Sequence, residues 1–312
     1  MKFVFMGTPD FSVGVLEELI KAGHECLAVV TQPDKPKGRG HNMQFTPVKE
    51  AAVAHDIPVM QPVKASEPGF FEELEKLEPE IIVVAAFGQL LKKNILELPK
   101  YGCINVHASL LPKYRGASPI QWAVIDGEAT SGVTIMQMAE GMDTGDMISK
   151  VEIPLAENET GGSLFDKLSI EGAKLCVETV KAIGEGNVTK VKQDDALATY
   201  TGKIDKHFGL IDWNKSAKEI EQLIRGLNPW PSAFTYLDGK LLKIWKAKVS
   251  QESGDFEAGS IAFVNKNSFG IKCGDKILEI LELQIEGKKR MDTDAFLRGY
   301  KVEVGVRLGG RD

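Results

Sequence analysis

The run Ile81-Ile82-Val83-Val84-Ala85-Ala86 decides the fold of the N-terminal part of the chain. Six apolar residues in succession, without the polar alternation of a half-solvated strand, read as a central strand buried on both faces of a parallel sheet. Toward the N-terminus, residues 2–6 read as a strand and residues 11–22 as a helix, with Val13, Leu16, Leu19 and Ile20 on one face and Gly23 as the stop. Residues 26–31 form the next strand, 46–55 a helix opened by Thr-Pro, 57–60 a short strand and 67–77 a helix. Toward the C-terminus, strands are expected at 102–107, 132–138 and 146–153, and helices at 119–126 and 163–183. Strands alternating with amphipathic helices give an α/β domain with an open, mostly parallel sheet.

The periodicity stops after Ile183. Gly184, Gly186, Asp194 and Asp195 interrupt a stretch of mixed polarity, so the division expected is a domain at 1–189, a linker at 190–206 and a second domain at 207–312. The second domain opens with a helix at 216–227, broken at Asn228-Pro229-Trp230-Pro231. Short strands follow at 233–237, 241–249, 259–264, 268–273 and 277–285, with a turn at Asp238-Gly239. Several short strands with Asp-Gly and Asn-containing turns predict a small OB-like β-barrel. The length of 312 residues agrees with two domains, since single cores stop growing near about 250–300 residues.

Composition narrows the functional classes. With 43% hydrophobic and 26% charged residues and no low-complexity block, the chain is globular, not disordered or fibrous. Its apolar runs fall short of the ~20 residues a membrane helix needs, and the N-terminus enters a strand after one lysine, so neither a span nor a signal peptide is expected. Cys26, Cys103, Cys176 and Cys273 are scattered without paired spacing, which suits a reducing cytoplasm. Net charge is -6, yet residues 1–206 carry 21 Lys and Arg against 29 Asp and Glu, whereas 207–312 carry 17 against 15. A nucleic-acid partner would therefore need local positive charge.

Two familiar cofactor motifs are absent. There is no Gly-x-x-x-x-Gly-Lys-Ser/Thr loop, and the first strand ends in Gly7-Thr8-Pro9-Asp10 instead of a dinucleotide-binding Gly-x-Gly-x-x-Gly. His24, His41, His55, His107 and His207 lie too far apart in sequence to pair at ligand spacing, so no metal is expected.

Chemistry concentrates between Cys103 and Gly116. On a strand, Asn105 and His107 share one face while Ile104 and Val106 share the other, so an amide and an imidazole emerge together at the carboxyl end of an interior strand, where open α/β sheets bind ligands. Cys103 lies on the same face. At ~3.3 Å per residue its Cα is ~13 Å from that of His107, too far for a Cys/His nucleophilic pair, and a core role is expected. The loop Glu140-Gly141-Met142-Asp143-Thr144-Gly145-Asp146 reads, on its residues alone, as an ordinary turn.

Taken in order, Gly7-Thr8-Pro9-Asp10-Phe11, Thr31-Gln32-Pro33-Asp34, Asn105-Val106-His107-Ala108-Ser109-Leu110-Leu111-Pro112, Tyr114-Arg115-Gly116, Gly132-Val133-Thr134-Ile135-Met136 and Met142-Asp143-Thr144-Gly145-Asp146 resemble the methionyl-tRNA formyltransferase family. The likeness continues at Asn228-Pro229-Trp230-Pro231 and Val249 and so covers nearly the whole chain. Folate-dependent formyltransferases in general share the Asn-x-His core with a downstream Asp. The insertion from Gln32 to Pro47 and the second domain point to the tRNA branch.

The resemblance implies a Rossmann-like catalytic domain that moves the formyl group of 10-formyltetrahydrofolate to the α-amine of methionyl initiator tRNA. Asn105, His107 and Asp143 are then the catalytic groups. The folate slot falls among Ala86, Phe87, Gly88, Leu90, Leu91, Ser109, Leu110, Leu111, Pro112, Met138 and Gly141; for Leu90 and Leu91 a plain core role stands equally open. The 32–47 segment, with Lys35, Lys37 and Arg39 and Lys49 just beyond, can sit against an acceptor stem, since about 16 irregular residues inside a compact domain usually carry function. On the strand at 241–249, Lys246 and Lys248 fall on one side and Lys243 and Trp245 on the other, so only part of that basic set is expected to meet RNA. A cytoplasmic monomer is implied. Two alternatives stay open: a formyltransferase for a small amine or amino-sugar nucleotide, and a non-catalytic folate- or RNA-binding regulator.

Overall fold

The structure, a computed structural model, describes residues 1–37 and 42–309. It divides into two compact units: Met1–Pro119, Ser131–Ile153 and Phe165–Thr201 form the first, and Ile120–Thr130, Pro154–Leu164 and Gly202–Asp312 the second.

In chain order the elements are β1 (Lys2–Gly7), α1 (Asp10–Lys21), β2 (Glu25–Val30), β3 (Lys35–Lys37), β4 (Asn42–Gln44), α2 (Pro47–Ala54), β5 (Val59–Met60), α3 (Phe70–Glu75), β6 (Ile81–Ala85), α4 (Lys93–Leu96), β7 (Cys103–His107), β8 (Arg115–Gly116), α5 (Pro119–Ile125), β9 (Thr130–Gln137), β10 (Met147–Pro154), α6 (Gly161–Gly184) and β11 (Tyr200–Thr201). The main sheet has the order β10-β9-β7-β6-β1-β2-β5. β5, β2, β1, β6 and β7 run parallel, and β9 is antiparallel to β7. All five residues of β6 are buried, as an unbroken apolar run requires.

One face of this sheet carries Val4, Met6, Ile82, Val84 and Cys103 into a core shared with Phe70, Leu74, Phe87, Leu91 and Ile95. Asn105 and His107 continue the row that Cys103 begins, because side chains two apart on a strand share a face. The apolar row therefore turns polar within one strand.

Two pairings escape a periodicity reading. The 32–47 insertion, expected to be irregular, holds an antiparallel hairpin in which Lys35 faces Gln44 and Lys37 faces Asn42. Three-residue strands offer too few positions for a period to show. The second is the parallel pair of β8 with β11, Tyr200 beside Arg115 and Thr201 beside Gly116. Val191 also bridges Met147, so residues 191–201, in the stretch expected as linker, take part in the first unit's pairing.

The second unit continues with α7 (Ala217–Gly226), β12 (Ala233–Leu237), β13 (Lys240–Val249), β14 (Ile261–Val264), β15 (Phe269–Lys272), β16 (Ile277–Ile285), β17 (Met291–Asp292) and α8 (Thr293–Leu297). Its sheet, in the order β12-β13-β16-β15-β14 with β17 on β16, has antiparallel pairings throughout. Ile220 and Ile224 of α7 join Leu242, Ile244, Phe269, Ile280 and Leu283 in its core. Ser216 and Glu219 close a reciprocal capping box at the start of α7.

Candidate active site

β7 presents the site because its neighbours fix both ends of the Asn105–His107 row. Val84 of β6 pairs beside Asn105 on one side, and Met136 and Thr134 of β9 pair beside Asn105 and His107 on the other. Asn105 is 9% exposed, and among the described residues its amide takes no protein partner. An amide at the edge of burial with no protein partner is available to a ligand.

His107 is oriented from two sides. Its Nε2 lies 2.9 Å from the carbonyl oxygen of Tyr114. A carbonyl only accepts, so Nε2 carries the hydrogen, and Nδ1 bears the lone pair in the neutral ring. Nδ1 in turn stands 3.7 Å from Asp143 Oδ2. The spacing of the sequence hides this approach. Because β9 is antiparallel to β7, it ends with Gln137 beside Ile104, at the far end of β7 from His107. The loop after β9 must turn back for Asp143 to arrive. It does so with Asp143 in the left-handed region, φ 52°. It also presses onto β9 at Gly145, where a β-carbon would run into the Gln137 carbonyl.

Asp143 Oδ2 accepts a hydrogen bond from the Gly116 amide at 2.8 Å. Gly116 has φ 102°, and a β-carbon there would stand 2.6 Å from the Thr201 carbonyl, so the donor requires glycine. The segment Tyr114-Arg115-Gly116 thus holds the imidazole with one end and the carboxylate with the other.

The residues expected around the folate fall into three groups. Ser109, Leu110, Leu111 and Pro112 form a loop pinned by Thr134. The Thr134 hydroxyl donates to the Ser109 carbonyl at 2.7 Å and accepts from the Leu111 amide at 3.1 Å, while Ser109 Oγ donates to the Lys113 carbonyl at 2.7 Å. Phe87 is buried, and its carbonyl accepts from Gln32 Nε2 at 3.1 Å and Thr8 Oγ1 at 3.4 Å. Gly88 follows with φ 79°. Leu90 and Leu91 part company: Leu91 fills the core, whereas Leu90 is 72% exposed. Met138 packs half-buried against that core and donates its amide to the Cys103 carbonyl at 2.8 Å, while Gly141 is exposed.

Cys103 is fully buried, and burial pushes its thiol up to about 12, so it stays protonated at neutral pH. It is a core residue. Among the described residues no three His, Cys, Asp or Glu side chains gather as a metal site.

The basic residues are distributed differently from expectation. Arg39 lies outside the described residues. Lys35 is exposed on β3, and Lys37 lies on the same strand. Lys49 does not belong with them. Its Nζ is 2.5 Å from Asp34 Oδ2 and 2.8 Å from Gln61 Oε1, and Gln61 Nε2 donates to the Gln32 carbonyl at 3.0 Å and to Asp34 Oδ1 at 2.8 Å. The Lys49 ammonium, and to a smaller degree the Gln61 amide, hold the Asp34 carboxyl below its usual range.

On β13 strict alternation fails. The register with β16 shifts on both sides of Lys246, and the inward positions pass from Leu242 and Ile244 to Ala247 and Val249. Lys243 and Trp245 therefore share the outward side with exposed Lys246 and Lys248, instead of opposing them. Arg290 and Lys243 lie over the Trp245 ring at 4.6 and 5.6 Å. Lys248 pairs with Glu279 at 3.1 Å.

An Asn-x-His strand end faces an Asp on a returning loop, in a mostly parallel sheet followed by an antiparallel β-unit. The profile of the formyl transferase family matches residues 1–180, and that of the formyl transferase C-terminal domain matches residues 203–301. A methionyl-tRNA formyltransferase of Agathobacter rectalis is 61% identical over 98% of each chain, and one of Clostridioides difficile is 50% identical over 99% of this chain and 100% of its own. The N-formyltransferase of Helicobacter canadensis, solved with folinic acid and dTDP-3-aminofucose, superposes with TM-score 0.65 at 22% identity over 90% of this chain and 98% of its own. The chain belongs to the methionyl-tRNA formyltransferase family.

Proposed function

We infer that the enzyme moves the formyl group of 10-formyltetrahydrofolate onto the α-amine of methionyl initiator tRNA, producing formylmethionyl-tRNA for translation initiation. The observation that carries this reading is full-length identity to methionyl-tRNA formyltransferases, joined to the Asn105, His107 and Asp143 cluster. The second domain alone does not choose the acceptor. The Helicobacter canadensis enzyme, solved with dTDP-3-aminofucose, shares the architecture across nearly its whole length, so a second domain of this kind is compatible with a small-amine acceptor. High identity over the whole chain to the tRNA branch supplies the distinction instead.

The folate supplies an activated formyl group, and the residues present suit it. The Asn105 amide can donate to the folate, and exposed Leu90 and the loop at Ser109, Leu110, Leu111 and Pro112 can meet its apolar surface. The reading assigns Phe87, Gly88, Leu91, Met138 and Gly141 to the same folate slot, with Phe87 and Leu91 backing it from the core. Negative charge gathers on the formyl oxygen as the amine attacks, and the Asn105 amide N–H is a donor free to meet it. His107 has one free nitrogen. With Nε2 committed to Tyr114, Nδ1 accepts the proton that the attacking amine must lose, and Asp143 stabilises the imidazolium that results. Protonated Nδ1 then holds that proton ready for the leaving nitrogen.

Lys35, Lys37 and Arg39 on the insertion, with Lys246 and Lys248 on β13, supply local positive charge for the tRNA backbone, which an acidic chain otherwise lacks. The domains expected at 1–189 and 207–312 serve catalysis and tRNA binding, residues 191–201 of the expected 190–206 linker being paired within the first unit, and the enzyme acts as a cytoplasmic monomer. Among the described residues no helix is long and apolar enough to cross a membrane. Labelled formyl transfer from 10-formyltetrahydrofolate to charged initiator tRNA, compared with free methionine and with an amino-sugar nucleotide, tests the reading. Preferential labelling of either small acceptor overturns it.

A further inference from the structure

Gln193 lies in the stretch expected as linker and has no role in the chemistry above, yet it is nearly fully buried beside the Asp143 loop. Its amide nitrogen donates to two backbone carbonyls of that loop, Asp143 at 2.8 Å and Gly145 at 2.7 Å. Its amide oxygen accepts from Arg115 Nε at 3.0 Å. Both N–H donors of the amide group are engaged, and its oxygen is anchored on Arg115. Arg115 is 1% exposed and also bonds Tyr200 Oη at 3.0 Å and Asp195 Oδ1 at 2.7 Å.

These bonds close a ring. Asp143 is held through its carboxylate by the Gly116 amide and through its carbonyl by Gln193, and Gln193 is anchored on Arg115, the residue before Gly116. The residue before Arg115 is Tyr114, whose carbonyl orients His107. We propose that Gln193 is a positioning residue for formyl transfer, fixing the returning loop so that the Asp143 carboxylate faces His107 Nδ1. The returning loop passes through the left-handed region at Asp143, a turn conformation aspartate tolerates, so the bonds to the Asp143 and Gly145 carbonyls are what fix the direction of its carboxylate. The proposal rests on the assignment of Asp143 to the reaction.

Three variants separate the possibilities. Gln193→Glu keeps an oxygen for Arg115 but replaces the donor with a second oxygen facing two carbonyls; Gln193→Ala removes both ends; Asp143→Asn tests the underlying assignment. Steady-state constants with charged tRNA and folate, together with thermal unfolding of each variant, supply the readouts. If Gln193 positions Asp143, both Gln193 variants lose about ten- to a hundredfold in kcat, as a displacement of about an ångström does. KM for either substrate then changes less than about threefold, and Gln193→Ala adds little further loss in the Asp143→Asn background. Gln193→Glu retaining wild-type kcat would show that only the anchor on Arg115 matters and overturn the proposal. Equal fold-losses from Gln193→Ala in both backgrounds, or a loss accounted for by the unfolded fraction, would also overturn it. An Asp143→Asn enzyme as active as wild type would instead sink the assignment of Asp143, a distinct result.

Discussion

At the scale of single residues, Asn105 and His107 differ in what they offer despite sharing a strand face. Asn105 keeps its amide for a ligand, whereas His107 has spent Nε2 on Tyr114 and retains only Nδ1. Asn105→Ala is therefore expected to lose an oxyanion-type donor, about 3 kcal/mol in the transition state or roughly a hundredfold in kcat, without loss of folding. His107→Ala should fall at least as far. Single-turnover formylation with circular dichroism as the folding control checks both, and near-wild-type turnover of the pair would remove them from the reaction. Asp143→Asn should lower kcat far more than folate affinity, because an amide cannot stabilise an imidazolium as a carboxylate does. Equal losses in both would make Asp143 a folate contact. Cys103 offers the contrast: its place on the catalytic face was visible from parity alone, but its thiol is held neutral by burial.

At the scale of elements, what was legible depended on length. The apolar run that β6 takes up over Ile81–Ala85, stopping before exposed Ala86, and the Asn-x-His alternation of β7 carry their own signatures, and the sheet's centre and the Asn105–His107 pair followed from them. The hairpin of β3 and β4 and the β8–β11 pair did not, since strands of two and three residues are too short to show a period, and Arg115 of β8 has its partner Tyr200 85 positions away. Gln193 was invisible for the same reason. On β13 alternation misled because the register shift beside Lys246 changes which parity faces the core. The base of the hairpin yields a pH prediction. Asp34 titrates below its usual range through Lys49, so this pair stabilises the fold above the ordinary carboxylate pKa and loses that contribution as pH falls through the depressed value. Lys49→Met should cost about 1–3 kcal/mol at neutral pH and progressively less in acid, making the acid limb of the stability profile shallower. Urea unfolding at neutral and acidic pH measures it; an identical deficit at both ends would exclude the Asp34 linkage.

At the scale of the whole molecule, charge has to be reconciled with the substrate. A chain of net charge -6 that handles tRNA must concentrate its cations, and the structure sets limits on where they are. Lys49 is committed to Asp34, and Lys248 shares its charge with Glu279, while Lys246 stands exposed on the same outward side as Lys243. Two kinds of contact should therefore respond differently to salt. Neutralising Lys246 and Lys248 together, as Gln, should remove one to two phosphate contacts and reduce the slope of log affinity against log salt by about 0.7–0.9 for each. Lys248 is expected to contribute the smaller part, because part of its charge is already met by Glu279. Arg39→Ala should weaken productive tRNA use with folate affinity unchanged, and if Arg39 reads the acceptor stem, its loss should raise KM for initiator tRNA more than for the same tRNA with an altered stem. Filter-binding titrations of the intact chain and both variants across salt, with formylation measured alongside, distinguish these roles. A double lysine variant with wild-type affinity and slope would take β13 out of the tRNA interface and leave the hairpin as its electrostatic centre.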